Sequence, residues 1–489
     1  MGNVTQWSKY QQDIFTFAEE TTGSAIVNAV AGSGKSTTLV ELVSRLKGST
    51  ILLAFNKSIA DELKAKGVNA RTFHSLCFSP VLRHKKLDAR TGLNEKKLWK
   101  IVESKFTGDD AERYGSFVVK LVSLARQIGI GALVPDTDQA WFDIINHHDL
   151  EPDDEEADIG RAVELAQKTL AFSNRMTNMI DFDDMLYLAV KDGLNLQKFD
   201  NILVDEAQDT NPIRRAIIRK IMHKNSRVFA VGDRAQAIYG FTGADSNSLD
   251  LIAEEFNCKE LPLSISYRCP TSVVNYARTW VDHIEAREGA PEGTVEELGG
   301  EWDSSVFQPE DLVVCRTTAP IISLAFKLMK DRVPVRVMGR EIGEGLKKLV
   351  KRMDASTIDE LEVKLEAFTT REVEKAVAKK EEAKAERIQD KSDAIFILMD
   401  GLVESERTVQ ALLNTIDSLF NSKRGAVVLS TIHKAKGLEA ERVFWLNRAA
   451  CPAQWATQPW QQQQEENLCY VAATRAKSAL FTIEAEQDS

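Results

Sequence analysis

The sequence predicts an α/β protein with two parallel-sheet cores, each interrupted by a mostly helical insertion. Short apolar runs alternate with helical patterns, which is typical of parallel sheets covered by helices. Within each core, one long segment of helical periodicity separates apolar runs that are predicted to belong to the same sheet. The chain has 489 residues, enough for two to four domains with sizeable cores.

The first core is predicted from four apolar runs. The run 25–30 leads through a glycine-rich turn into a helical pattern over 35–46, and 50–54 is a second strand. The runs 201–204 and 227–231 end in acidic residues and in Gly-Asp. Because parallel strands place ligand sites at their carboxyl ends, these strand ends are where we expect chemistry.

The second core and the insertions follow from the same patterns. The segment 80–175 is mostly helical, and a second helical segment, 346–424, is rich in Lys, Glu and Ala. Within the latter, 372–387 is predicted to be a solvated helix surface with i,i+4 ion pairs. The strands of the second core are predicted at 312–315, 335–337, 427–430 and 442–446.

Composition excludes several classes of protein. The net charge of −11 is the wrong sign for a protein that coats nucleic acid, although a motor needs only a local basic groove. Six scattered cysteines without a Cys-x-x-Cys pair argue against a disulfide framework or zinc ribbon and for a reducing compartment. Apolar runs are too short for a membrane helix, and residues 1–10 lack the layout of a signal peptide.

A phosphate-binding loop is predicted at 29–36, Ala-Val-Ala-Gly-Ser-Gly-Lys-Ser, between a strand and a helix. Its backbone N–H groups would hold phosphate oxygens, Lys35 would neutralise the β- and γ-phosphates, and the Ser36 hydroxyl would ligate Mg²⁺. Ala29 replaces the usual first glycine. The alternative is a glycine-rich turn without a ligand.

The acids at the end of 202–209, Ile-Leu-Val-Asp-Glu-Ala-Gln-Asp, complete a candidate site. Asp205 can hold Mg²⁺, and Glu206 can take a proton from an attacking water. Arg268 and Arg475 are candidates for cations that reach the γ-phosphate. The alternatives are an acidic helix cap and arginines in surface ion pairs.

Further motifs follow in order along the chain. They are 54–58 (Ala-Phe-Asn-Lys-Ser), 71–75 (Arg-Thr-Phe-His-Ser), 181–185 (Asp-Phe-Asp-Asp-Met), 231–244, 266–268 (Ser-Tyr-Arg), 430–439 and 465–475. Together with 29–36 and 204–209, this set resembles superfamily 1A DNA helicases of the UvrD, Rep and PcrA family, and within it F-box DNA helicases and phage relatives. The match covers nearly the whole chain and is poorest in the two helical insertions.

The resemblance implies two RecA-like parallel-sheet P-loop domains, each with a mostly helical insertion. Domain 1A would comprise 1–84 and 176–264, with insertion 1B at 85–175. Domain 2A would comprise 265–345 and 425–489, with a short insertion 2B at 346–424.

The implied function is that of an ATP-dependent 3′-to-5′ DNA helicase or translocase, with ATP and Mg²⁺ bound at a cleft between the two RecA-like domains. Single-stranded DNA and 3′-tailed duplexes would be its partners, and no membrane is involved. It would work in the cytoplasm of a bacterial or phage-infected cell, or in the nucleus of a eukaryote. Alternatives are a protein-displacing translocase, the motor subunit of a helicase–nuclease complex, a binding module with a dead ATP site and a P-loop kinase.

The resemblance also implies roles for single residues at the nucleotide. Gln11, or neighbouring Gln12, would read adenine, Tyr267 would stack on it and Glu439 would bond the ribose. Gln236 would sense the γ-phosphate, and Thr37 occupies a position where many relatives have arginine. The implied ATP-binding set is Gln11, Ala29, Gly32, Ser33, Gly34, Lys35, Ser36, Thr37, Tyr267 and Glu439, and the implied catalytic set is Lys35, Asp205, Glu206, Gln236, Arg268 and Arg475.

The DNA track is expected in loops that follow sheet strands, because aromatic stacking holds any base. Core packing is the alternative for its aromatic members, and a structural role is the alternative for its histidine at position 74. The predicted DNA-binding residues are Phe55, Asn56, His74, Tyr239, Phe241 and His433.

Strand separation needs a rigid wedge. In larger relatives a hairpin follows the motif that ends at Arg475, and the tail here is too short for it, so the sequence supports translocation more than unwinding. One candidate wedge is the loop 451–460 with Trp455 and Trp460, for which packing on the second core is the alternative. The other candidate is the first helical insertion with Trp99 and Trp141, although both side chains are expected to be buried.

Overall fold

The computed structural model describes residues 6–148, 150, 152, 157–238, 247–300, 302–378, 381–403, 407–420 and 426–485. The chain forms two compact units. The first comprises Met1–Ala29 and Gly34–Leu263, and the second comprises Val30–Ser33 and Ser264–Ser489.

The first unit combines a parallel sheet with helices. Its strands are β1 (Ser24–Ala29), β2 (Thr50–Ala54), β3 (Ala70–Thr72), β4 (Phe199–Val204), β5 (Met222–Gly232) and β6 (Cys258–Leu263). Its helices are α1 (Lys9–Glu20), α2 (Lys35–Arg45), α3 (Lys57–Ala65), α4 (Phe73–Lys85), α5 (Lys97–Lys105), α6 (Asp110–Ile128), α7 (Asp138–His147), α8 (Ile159–Arg175), α9 (Phe182–Lys191), α10 (Pro212–Lys220) and α11 (Ser248–Glu255).

The six strands of this sheet run in the order β3-β2-β4-β5-β1-β6, and every neighbouring pair is parallel. The register sets Val27 beside Val231 and Leu53 beside Val204. Both faces of a parallel sheet are covered, so its strands are nearly continuous apolar runs, as in β2. The parallel order places the carboxyl ends of β1, β4 and β5 at one edge.

Local sequence explains where the helices of the first unit begin. Ser8 and Gln11 form a reciprocal capping box at the start of α1. Asp181 and Asp184 form another at the start of α9. Pro212 occupies the first turn of α10, where its missing N–H costs nothing.

The helices α5 to α8 lie in the segment 80–175, which is predicted to be the first insertion. A buried ion cluster joins this insertion to α9: Lys97 lies 2.6 Å from Asp184, and Arg126 lies 2.9 Å from both Asp181 and Asp184. Trp141 is buried as expected, but Trp99 is 40% exposed, so the expectation that it is buried is wrong. Its ring lies over Gly115 at the surface of α6, where the absence of a side chain leaves room for it.

The second unit has the same kind of architecture. Its strands are β7 (Ile265–Ser266), β8 (Glu285–Ala286), β9 (Thr294–Gly299), β10 (Leu312–Cys315), β11 (Val335–Val337), β12 (Val427–Thr431), β13 (Ala440–Leu446) and β14 (Ala476–Ile483). Its helices are α12 (Thr271–Ala277), α13 (Ala319–Lys330), α14 (Arg340–Arg352), α15 (Ile358–Ala378), α16 (Glu382–Asp400), α17 (Val409–Phe420), α18 (Ile432–Ala435) and α19 (Pro459–Ala473).

The main sheet of this unit runs in the order β11-β12-β10-β13-β14-β9, again with parallel pairs, while β7 and β8 pair separately. The predicted α/β class with parallel sheets is therefore confirmed. Residues after Arg475 enter the core as β14, between β13 and β9. The helices α15 to α17 lie within 346–424, the segment predicted to be the second insertion, whereas α14 begins before that segment, at Arg340. Asp390 of α16 accepts hydrogen bonds from the N–H groups of Thr318 and Ala319 at the start of α13, both at 2.7 Å.

Searched over its described residues, the protein has no helix that combines the length and the apolar composition needed to cross a membrane.

Candidate nucleotide and DNA site

The loop after β1 has the backbone of a phosphate cradle. Gly32 and Gly34 adopt φ values of 71° and 78°, in the left-handed region that glycine tolerates at little cost. Gly34 is the N-cap of α2, so Lys35 and Ser36 are the first two residues of the helix. Exposed N–H groups and the positive end of the helix dipole favour an anion at this position.

The acids after β4 meet the lysine of α2, as the sequence predicts for ends of parallel strands. The Lys35 ammonium lies 3.2 Å from a carboxylate oxygen of Glu206. Glu206 has a φ of 48°, which strains a residue with a side chain and turns the chain sharply after Asp205. Strain of this kind is maintained by the surrounding structure and often marks a functional position.

The electrostatics of this group are strongly coupled. Burial alone would lower the pKa of Lys35, but Glu206, Asp233 and Asp205 raise it above its ordinary value. Burial, together with the neighbouring Glu206, raises the pKa of Asp205 to about 7 against the pull of Lys35. An additional cation would stabilise the ionised form of this buried carboxyl group, which fits a role of Asp205 as a Mg²⁺ ligand.

Mg²⁺ would be held here by few protein groups. Among the described residues there is no cluster of three or more His, Cys, Asp or Glu side chains that could hold a metal ion. Mg²⁺ bound with a nucleotide needs only one or two protein oxygens, because phosphates and water supply the others. The hydroxyl of Ser36 and the carboxylate of Asp205 are of the right chemical type for this.

Gln236 lies in the turn after β5, next to the same acids. Its side-chain amide donates to Asp233 at 2.7 Å, and Asp233 also accepts from the N–H of Ala235 at 3.0 Å. Both side chains are buried, with Asp233 3% and Gln236 5% exposed. Asp233 thus holds the side chain of Gln236 in place, and the role of Gln236 as a γ-phosphate sensor remains a prediction.

The two glutamines considered for adenine differ in their surroundings. Gln11 is buried, and its amide donates to the hydroxyl of Thr38 at 2.9 Å, one helical turn after the loop. Gln12 is exposed and donates to the carbonyl of Trp7. Thr37 is exposed on α2. Gln11 is therefore the glutamine tied to the helix of the phosphate loop.

Residues predicted for the nucleotide also lie in the second unit. Arg268 forms a 2.7 Å ion pair with Glu439, which pairs with Lys477 at the same distance. Burial opposes ionisation of Glu439, but Lys477 and Arg268 lower its pKa. Tyr267 is 42% exposed, so its ring is available for stacking.

Arg475 is almost fully buried, unlike the surface arginine considered as an alternative. It is 1% exposed, and its guanidinium donates to the carbonyls of Val471 at 2.9 Å and Leu438 at 3.2 Å. Its predicted role at the γ-phosphate remains a prediction.

Aromatic and basic side chains follow β2 and β3. The Arg214 guanidinium lies 5.2 Å from the ring centroid of Phe55 and 5.7 Å from that of Phe73. Phe55 is partly exposed, whereas Phe73 is buried. Arg214 also donates to the carbonyl of Asp209 at 2.9 Å, which connects this group to the segment after Asp205 and Glu206.

His74 packs edge to face against Phe182, with ring centroids 6.0 Å apart. Phe182 is 45% exposed, a large fraction for a phenylalanine. Burial, followed by the charge of Arg214, lowers the pKa of His74 to about 4, so this ring is neutral at physiological pH. Phe182 belongs to the motif 181–185, but its sequence context, an aromatic residue between two acids, does not predict a role in DNA binding.

The surroundings of the remaining predicted DNA-binding residues differ. Asn56 is exposed, and its side chain caps α3 by accepting from the N–H of Ile59 at 2.9 Å. Burial, then Arg316 and Lys434, lower the pKa of His433 to about 3. Tyr239 and Phe241 lie outside the described residues.

Trp455 and Trp460 are each partly buried. The indole N–H of Trp455 donates to Glu386 at 2.9 Å, and the guanidinium of Arg316 lies 5.7 Å from its ring centroid. Trp455 thus packs against Arg316, which follows β10, and against α16 of the predicted second insertion, and this favours packing over a wedge role for its side chain.

The chain is similar to a family of helicases and to several named members of it. The family described as UvrD/REP helicase N-terminal domain matches residues 7–257, and the UvrD-like helicase C-terminal domain matches residues 342–487. F-box DNA helicase protein 1 of Schizosaccharomyces pombe is 25% identical over 93% of this chain and 55% of its own length. DNA helicase IV of Escherichia coli is 28% identical over 53% of this chain and 45% of its own. PcrA of Staphylococcus epidermidis is 27% identical over 55% of this chain and 39% of its own length. The chain thus spans about half the length, or less, of these relatives.

Proposed function

The chain belongs to the UvrD/REP helicase family, and from that premise we propose that it is an ATP-dependent DNA helicase or translocase that moves 3′ to 5′ on single-stranded DNA. The observation that supports this most is the meeting of Lys35 and Glu206 at 3.2 Å beside buried Asp205. A phosphate-binding lysine, a metal-binding acid and a base in one place are what nucleotide hydrolysis requires.

In the proposed reaction, the loop before α2 binds the phosphates through backbone N–H groups, and Lys35 neutralises their charge. Ser36 and Asp205 would hold Mg²⁺, which would supply further positive charge to the phosphates. Glu206 accepts a proton from the attacking water. We propose that Arg268 and Arg475 add cationic groups and that Gln11, Tyr267 and Glu439 contact the nucleoside.

We propose that single-stranded DNA binds along the surface that carries Phe55, His74 and Phe182. Stacking on aromatic rings accepts any base, as a motor that moves along DNA requires. Single-stranded DNA and 3′-tailed duplexes are the proposed partners.

A strand-displacement assay on 3′-tailed, 5′-tailed and blunt duplexes tests the polarity. We expect unwinding from the 3′-tailed substrate only, dependent on ATP and lost in Lys35→Ala. Unwinding from 5′ tails alone would contradict the proposed direction.

A second candidate function is translocation that displaces bound proteins with little unwinding. It is favoured by β14, because Ala476–Ile483 is part of the core sheet and is not available as a strand-separating hairpin. Release of streptavidin from a biotinylated single strand measures this activity separately. Streptavidin release without duplex unwinding would support this candidate.

A further inference from the structure

Hydrogen bonds connect Glu206, Gln208, Asp233 and Gln236 in the first unit, through side chains and the backbone N–H of Asp233. The amide group of Gln208 donates to the carboxylate of Glu206. The carbonyl oxygen of the same side chain accepts from the backbone N–H of Asp233 at 3.0 Å. The carboxylate of Asp233 in turn accepts from Gln236 at 2.7 Å. Gln208 therefore connects the proposed base to the turn that holds the proposed sensor.

The position of Gln208 is closely constrained. Its side chain is 2% exposed and lies against Gly232, the last residue of β5. A Cβ atom at Gly232 would lie 2.5 Å from the Gln208 carbonyl oxygen, so only glycine permits this approach. The two partners also fix the orientation of the amide, because an N–H group needs the oxygen and a carboxylate needs the NH₂ group.

Lys35 and Gln208 both contact the carboxylate of Glu206. The ammonium of Lys35 lies 3.2 Å from Oε1 and 3.4 Å from Oε2, and the amide group of Gln208 donates to Oε2. When nucleotide occupies the loop, the ammonium of Lys35 is expected to turn to the phosphates. Of these two partners, Gln208 then remains on the carboxylate.

We propose that Gln208 is a positioning residue for hydrolysis: it orients the carboxylate of Glu206 toward the attacking water and ties that orientation to the Asp233–Gln236 turn. This inference rests on the proposed function, because it assigns Gln208 a role in the same ATP site. The turn leads directly into the segment 239–246, which contains Tyr239 and Phe241, the residues predicted to meet DNA. On this proposal, the orientation of the base depends on the turn that precedes the segment predicted to meet DNA.

The test uses single-turnover ATP hydrolysis by the full chain with saturating single-stranded DNA, alongside nucleotide affinity. Gln208→Leu removes both hydrogen bonds of the side chain. Gln208→Glu keeps an acceptor for the N–H of Asp233, so the link to the turn after β5 is preserved if the leucine variant does not fold. It removes the amide donor and places a second carboxyl group beside Glu206. Gln139→Leu, at an exposed glutamine of α7, is the matched control.

We expect hydrolysis to fall about 100-fold in both Gln208 variants, a typical effect of losing an oriented base, while nucleotide affinity changes by less than about threefold. Gln139→Leu should match the wild type. The proposal is wrong if both Gln208 variants hydrolyse ATP at the wild-type rate, or if nucleotide affinity falls as much as the rate.

A second measurement separates positioning from general structural damage. In the Glu206→Gln background, Gln208→Leu should slow hydrolysis no further, because Gln208 acts through the carboxylate that is already absent. An equal loss in both backgrounds would overturn the inference. Failure of the proposed function is distinct, because then the wild type itself would not hydrolyse ATP or Lys35→Ala would retain the activity.

Discussion

Lys35 and Glu206 are 171 positions apart in the sequence, yet their charged groups lie 3.2 Å apart at the end of one parallel sheet. The strand order places β1 and β4 on either side of β5, so the residues that follow them converge. Helix α2 then presents Lys35 to the acids after β4. This ion pair is the geometric basis of the proposed hydrolysis.

Separate effects on binding and chemistry are expected from this pair. Lys35→Ala should weaken nucleotide binding, since the phosphates lose their main side-chain cation. Glu206→Gln should keep binding but slow hydrolysis by orders of magnitude, because the water loses its base. Titration with a fluorescent nucleotide and single-turnover hydrolysis measure the two effects. Wild-type hydrolysis in Glu206→Gln would show that another group is the base.

Phe182 should contribute to DNA affinity. Its ring is 45% exposed beside His74, and stacking of a base is worth about 1–3 kcal/mol. Phe182→Ala should therefore weaken binding of an oligothymidine, measured by fluorescence anisotropy at fixed salt. Leu133→Ala, at an apolar residue of the same unit that is also 45% exposed, serves as the control. Equal affinities of the two variants would place the DNA elsewhere.

The buried ion cluster should stabilise the attachment of the first insertion. Arg126→Leu leaves Asp181 and Asp184 without their main cation, and breaking a buried pair in this way costs about 3–5 kcal/mol. Lys168→Met removes an exposed pair with Glu164 on α8 and should cost about 0–1 kcal/mol. Denaturant unfolding of both variants provides the comparison. Similar losses would mean that the buried cluster is not a major anchor.

The depressed pKa of His74 predicts a specific dependence of stability on pH. Its pKa is about 4 in the folded chain and 6.5 as its ordinary value, so the unfolded chain binds the proton more readily. The stability that comes from keeping His74 neutral is complete above about pH 6.5 and is lost as pH falls toward 4.

The variant His74→Gln should therefore lose less stability than the wild type between these two pH values, measured by thermal unfolding. The difference will be partial, because His148 and His433 have lowered pKa values as well. His283→Gln, at an exposed histidine, should follow the wild type. An unchanged pH dependence in His74→Gln would show that this ring does not contribute.

Local pattern was sufficient to predict the parallel sheets and the meeting of Lys35 with Asp205 and Glu206. Apolar runs mark buried strands, and parallel strands bring their carboxyl ends to one edge. Strand β2 has the predicted bounds, 50–54. Single short strands such as β3 and β9 were missed, because three to six residues of mixed polarity give little periodic signal.

The sequence pattern does not predict side-chain contacts between residues that are far apart in the chain. Nothing in the motif 204–209 indicates that Gln208 reaches the N–H of Asp233, in the turn after β5. The partnership of Arg126 with Asp181, 55 positions apart, likewise depends on how α6 packs against α9. The ring of Trp99, on α5, lies over Gly115 at the surface of α6 and is therefore exposed. The helical periodicity of α5 does not indicate which neighbouring element packs against each of its faces.

The rate of ATP hydrolysis with and without single-stranded DNA tests the central claim most directly. We expect a low basal rate that rises strongly on addition of DNA, and a stimulated rate that is lost in both Lys35→Ala and Glu206→Gln. Salt should weaken the stimulation at limiting DNA, since phosphate contacts release counterions. A wild-type rate that does not respond to DNA, or a stimulated rate that survives in Glu206→Gln, would contradict the assignment of an ATP-driven DNA motor.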